Sequence, residues 1–129
     1  MQGEAEKIYA STDAPSTYAL KPSDFPGIRM KLKAREGDEV QAGDPIFYDK
    51  DRPEVTFGSP VSGEIAEVVR GEKRRILEVR ILADQEIRYR DFKAADPAAL
   101  GRDEVKGKIL QAGMWPVVRQ RPYNIIANP

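Results

Sequence analysis

The chain contains neither cysteine nor histidine. Without cysteine it can form no disulfide, thiolate zinc site or iron–sulfur cluster, and it has no thiol nucleophile. Without histidine it loses the usual general base, the usual zinc ligand and any Ser-His-Asp triad. Neither a Gly-x-x-x-x-Gly-Lys-Ser/Thr loop nor a Gly-x-Gly-x-x-Gly fingerprint occurs, so the familiar phosphate cradles are missing as well. Carboxylates and lysines are scattered singly, and catalysis by this chain alone is not expected. The 21 Lys and Arg residues balance the 21 Asp and Glu residues, which leaves no electrostatic case for nucleic acid or an anionic membrane. No apolar run is long enough to span a bilayer, and no signal-peptide core opens the chain, so a soluble piece is expected. With 129 residues it is one domain, or one domain with an appended piece.

What is present centres on residues 36–71. Glu36-Gly37-Asp38-Glu39-Val40-Gln41-Ala42-Gly43-Asp44-Pro45-Ile46 and Ser59-Pro60-Val61-Ser62-Gly63-Glu64-Ile65-Ala66-Glu67-Val68 read as two halves of one device. Each puts glycine at a turn and then apolar residues at strand spacing. Packed as facing small sheets, they would point Val40, Ile46, Val61 and Ile65 inward. Between them lies an extended segment with the charged tip Asp49-Lys50-Asp51-Arg52-Pro53.

Upstream, residues 1–24 read as an extended arm with one short strand near Tyr18-Ala19-Leu20, and the abrupt opening suggests that a native start is missing. Residues 28–35 alternate strictly, with Ile28, Met30, Leu32 and Ala34 on one face and Arg29, Lys31, Lys33 and Arg35 on the other. The basic stripe reads as a solvated face with acidic cross-strand partners; the alternative is an anion-binding stripe. Downstream, Leu77, Val79 and Ile81 are expected to face inward, with Ile87 and Tyr89 continuing the alternation and the β region ending near Phe92. Asp96-Pro97 signals a helical start. A helix over residues 102–112 should place Val105, Ile109 and Ala112 on one face and end at Gly113. Residues 114–123 show neither a strand nor a helix period. Trp115, Arg119 and Arg121 lie there and read either as core and solvated residues or as a contact surface, since Trp and Arg are enriched at binding hot spots.

The glycine device resembles the biotinyl/lipoyl domain, or barrel-sandwich hybrid. The fold class expected is therefore mainly β with α: a barrel-sandwich hybrid plus a C-terminal helical extension. The domain plan is an arm over residues 1–27, the sandwich over 28–92, and a helix and linker over 93–129. In lipoyl carriers an Asp-Lys pair on a hairpin carries the modified lysine, and Asp49-Lys50 stands in a similar place. Asp51-Arg52-Pro53 departs from the small residue usual there, so Lys50 as a lipoyl or biotin attachment site is an alternative only. A transport-system adaptor is another, although the long heptad helices that usually flank such sandwiches are not visible.

Taken whole, the order of motifs is more telling than any one of them. The glycine-framed sandwich and Arg70-Gly71-Glu72-Lys73-Arg74 are followed by a helix running into Ala112-Gly113-Met114-Trp115-Pro116-Val117-Val118-Arg119-Gln120-Arg121-Pro122-Tyr123. This order resembles the N-terminal part of the A subunit in the Na⁺-translocating NADH:quinone reductase family. That resemblance implies a peripheral protein on the cytoplasmic side of the bacterial inner membrane, in a complex that oxidises NADH, reduces quinone and exports Na⁺. It implies other subunits of the complex as partners, with no nucleic acid and no membrane span. The flavins and iron–sulfur centre would sit elsewhere in the complex, leaving this chain without a cofactor and with a structural role. Two departures stand out: a short basic strand before the arm is lacking, and the family continues beyond residue 129 into a further domain.

Overall fold

The computed structural model describes residue 3 and residues 6–129. Its strands are β1 (Thr17–Leu20), β2 (Met30–Leu32), β3 (Glu39–Val40), β4 (Pro45–Asp49), β5 (Thr56–Gly58), β6 (Gly63–Arg70) and β7 (Ile76–Ala83). Helix α1 (Arg102–Gln111) follows, and then a ribbon of β8 (Arg119–Gln120) and β9 (Ile125–Ile126). A four-stranded sheet in the order β1-β7-β6-β3 faces a three-stranded sheet in the order β2-β4-β5, with antiparallel pairing throughout. Mainly β, with one α-helix among the described residues, this is the barrel-sandwich hybrid that the resemblance implies.

The core follows from alternation. In the β6–β7 hairpin Ile65, Val79 and Ile81 point between the sheets and are fully buried, while Glu67 and Arg80 pair outside at 2.7 Å. Val40, Ile46 and Val61 are buried as expected. Phe47, Val55 and Phe57 join them, and Phe25 meets Phe57 edge-on at 4.6 Å. Each such residue contributes about 1.5–3 kcal/mol by leaving water.

The glycine device takes a specific form. Asp38 and Asp44 each follow a glycine in the left-handed region, and their carboxylates accept from Arg35 N at 2.7 Å and Gln41 N at 2.8 Å. Each Gly-Asp turn then exchanges two main-chain bonds with one residue of the other half, Gly37-Asp38 with Ile65 and Gly43-Asp44 with Ser59. Gly63 closes the seam between β6 and β7, because a Cβ there would lie 1.9 Å from the Leu82 carbonyl oxygen.

Several expectations are corrected. Leu77 is 47% exposed, not inward. Val69 pairs with Glu78 and Arg70 with Ile76, so Leu77 is the extra residue of a bulge, and Ile76 packs on the core in its place. A second bulge, between Pro45 and Phe47, lets the consecutive Ile46 and Phe47 both point inward. The strand predicted over residues 28–35 is regular only across β2. Tyr89 forms a single bridge with Ala42 and is exposed.

Two local signals hold. Asp96 accepts from Ala98 N at 2.9 Å ahead of a short turn at Pro97–Ala99. Gly113 ends α1 with Gly113 N bonded to Leu110 O and Met114 N to Ile109 O, the paired bonds of a Schellman cap.

Candidate interface at the hairpin tip and tail

Strand β4 sends alternate side chains inward, and after Phe47 the next inward position is Asp49. Its carboxylate is 2% exposed, which would be costly without partners. The tip supplies them: Asp51 N donates to Oδ1 at 3.1 Å and Arg52 Nε to Oδ2 at 2.8 Å. The second bond is charge-assisted.

Arg52 then reaches the far end of the chain. Its Nη1 donates to Ile126 O at 3.1 Å, Ala127 O at 3.3 Å and Asn128 Oδ1 at 3.3 Å. Trp115 Nε1 donates to the same Ala127 carbonyl at 2.9 Å, and Ala127 N donates to Val118 O at 2.9 Å. Ile126, 3% exposed, completes the core cluster. The aperiodic reading of the tail is thus corrected: residues 115–117 form a short turn, β8 and β9 pair, and the ribbon is fastened to the sandwich. Two-residue strands are too short to print a period on the sequence.

The candidate residues separate. Trp115 is half-buried, packs on the core and is bonded to Ala127. Arg119 donates from Nη1 to Asn124 O at 3.3 Å, within the ribbon's own turn. Arg121 is exposed in that turn and is not brought to the clasp. Lys50 is exposed at the hairpin tip, with its main-chain N donating to Arg29 O at 2.8 Å. Beside it Arg29 grips Asp51 through two bonds, which raises the arginine's pKa and lowers that of the carboxyl. The tip is therefore held on both flanks of Lys50.

Asp49, Arg52 and Ile126 are the residues that sequence reasoning missed. A signal existed for the first two: a carboxylate at an inward position of an apolar strand needs a cation, and Arg52 stands three residues on. At the opposite end of the sheets, Arg88 bonds Asp84 and Glu39 at 3.0 Å each, and the Ser62 hydroxyl is the leading cause of a lowered Asp84 pKa.

Chemically, the clasp can hold two parts of the chain together; it pairs no nucleophile with a base. Among the described residues no group of Asp and Glu has the geometry to hold a metal ion. An iron–sulfur cluster would find none of its usual ligands in a chain without cysteine and histidine. Among the described residues no helix is long and apolar enough to cross a membrane.

Residues 1–84 match the family described as the NqrA N-terminal barrel-sandwich hybrid domain. Over 126 residues the chain is 35% identical to the A subunit of the Na(+)-translocating NADH-quinone reductase of Neisseria meningitidis serogroup A, covering 96% of this chain and 28% of the relative. The proteins of the same name from Actinobacillus pleuropneumoniae serotype 5b and Vibrio vulnificus are 32% and 36% identical, with 95% and 82% of this chain and 28% and 24% of the relatives covered. The chain thus spans under a third of the length of the curated relatives it matches.

Proposed function

Since the chain belongs to the NqrA N-terminal barrel-sandwich hybrid domain family, we propose that it acts as an assembly module within the A subunit of a Na⁺-translocating NADH-quinone reductase. The observation that supports this most directly is the tail. Arg52 and Trp115 fasten it to the sandwich, yet Val117 and Tyr123 remain 67% and 79% exposed, with Met114 and Ile125 also bare. Apolar side chains held out from a fixed support suit contact with another polypeptide. On this reading the neighbours are other parts of the reductase, on the cytoplasmic side of the membrane. NADH, flavins, an iron–sulfur centre and quinone carry out the electron transfer elsewhere in the complex. Sodium export belongs to the assembled complex, and this chain contributes no electron carrier.

The test is to recover a tagged chain from detergent-solubilised membranes and map crosslinks from Lys106 and Lys108 beside the tail. Reductase subunits should co-purify, and Val117→Asp with Tyr123→Asp should reduce their recovery while the chain stays folded. Recovery free of any reductase component would overturn the assembly role. NADH or quinone turnover by the purified, cofactor-free chain would overturn the non-catalytic part. Intact mass after coexpression with lipoyl and biotin ligases should show Lys50 unmodified.

A further inference from the structure

The basic stripe of residues 28–35 finds the acidic partners expected of it only in part. Arg29 pairs with Asp51, but Lys31 stands opposite Tyr48 in β4. Beyond β2, a groove of about 760 Å³ separates that strand from the turn joining β6 to β7. Arg70, Arg74 and Arg75 line its far side, and Phe25, Met30, Leu32 and Ile76, all half-buried, line its floor. A second hollow of about 530 Å³ shares Leu32 and Arg70 and adds Lys33 and Arg35. Among the described residues, Lys31, Lys33, Arg70, Arg74 and Arg75 have no carboxylate at ion-pair distance. In a chain of zero net charge, that is a strongly segregated face. Of the acids nearby, Glu36 has its Oε1 accepting from Val68 N at 2.6 Å, Glu72 stands in the turn itself, and Asp51 is taken by Arg29.

The groove also has an open backbone edge. β2 ends its sheet, and among the described residues its only strand partner is β4. Lys50 N donates to Arg29 O and Lys33 N to Ile46 O, both at 2.8 Å, so the groups facing β4 are those of residues 29, 31 and 33. By the strand's period of two, the main-chain groups of Met30 and Leu32 face away from β4, and no turn or loop bond among the described residues uses them.

We propose that this groove is a docking site for an extended acidic segment of another protein, which adds as a strand to β2. An alternating acidic–apolar strand would satisfy all three features together. Its backbone would pair with Met30 and Leu32, its carboxylates would meet the arginines and lysines, and its apolar residues would rest on the recessed floor. A second copy of this chain would set lysine and arginine against lysine and arginine. A bilayer surface is too flat to reach the floor. The proposal holds whichever complex the chain joins.

Three probes test it: a fluorescein-labelled peptide alternating Glu and Val, its fully N-methylated counterpart, and vesicles of phosphatidylcholine with phosphatidylglycerol. The first should bind more weakly as salt rises and should slow amide exchange at Met30 and Leu32. Methylation of the peptide backbone, or Lys31→Glu with Arg75→Glu in the protein, should weaken binding about tenfold or more. If the double variant does not fold, the methylated peptide on the unaltered chain decides. No binding by the plain peptide, equal binding by the methylated one, indifference to charge reversal, or vesicle binding without peptide binding would each overturn the proposal.

Discussion

Arg52 bonds the main-chain carbonyl of Ile126 at 3.1 Å, a contact across 74 positions of sequence made by a side chain that also neutralises the buried Asp49. Hairpin tip and tail are therefore one structural unit. Arg52→Ala should leave the Asp49 carboxylate buried and unpaired and should free the tail. The expected cost is about 2–4 kcal/mol, below the full range for a buried pair because Arg52 keeps some contact with water. Urea unfolding measures it, and Asp49→Asn in the Arg52→Ala background should recover part of the loss. A change within about 0.5 kcal/mol would mean that the clasp is ornamental.

Trp115 reports on the same contact. Removing residues 124–129 takes away Ala127 O and Ile126, so the indole should become wetter and its fluorescence should move to longer wavelength. Trp115→Phe keeps the ring but loses the N–H donor, at about 1 kcal/mol. An emission maximum unmoved by the truncation would place the indole's partner wholly inside the sandwich.

Neighbouring strand positions should answer oppositely. Val79 is fully buried and Leu77 is 47% exposed. Val79→Ala is expected to cost about 1–3 kcal/mol, and Leu77→Ala only a few tenths. Equal losses at both positions would contradict the bulge.

Acid should weaken the fold. The Asp84 pKa is lowered by the Ser62 hydroxyl and then by Arg88, and that of Asp51 by Arg29. A depressed folded-state value means that the stabilisation is complete above the unfolded carboxylate pKa of about 3.9, and is lost as pH falls through the folded values. Urea midpoints should therefore be level near neutrality and decline below about pH 4, with Asp84→Asn showing a shallower decline. An acid limb as steep in the variant as in the parent chain would assign the effect to other groups.

How much of this was legible depends on distance along the chain. Turn glycines and period-two alternation are local, and they pointed correctly to Val40, Ile46, Val61, Ile65, Val79 and Ile81. Leu77 escaped because a bulge is a property of two strands, and only Val69 and Arg70 opposite reveal it. The residues singled out in the tail were Trp115, Arg119 and Arg121, but only Trp115 reaches the clasp. Its counterpart, Arg52, lies far upstream in sequence, at the tip between β4 and β5. No window short enough to show periodicity contains both.

The place taken by Ile126 bears on how the chain folds. A cluster containing Val55, Phe57 and Val79 is completed by a residue from β9, so its closure needs a contact of high sequence separation. Such contacts form late, because the entropy lost in closing a long loop opposes them until the two sheets are in place. That corner of the core would stay hydrated until β9 arrives. The two sheets would form first and the ribbon would act as the stopper. Refolding should then show the last core burial and the change in Trp115 fluorescence finishing in the same step.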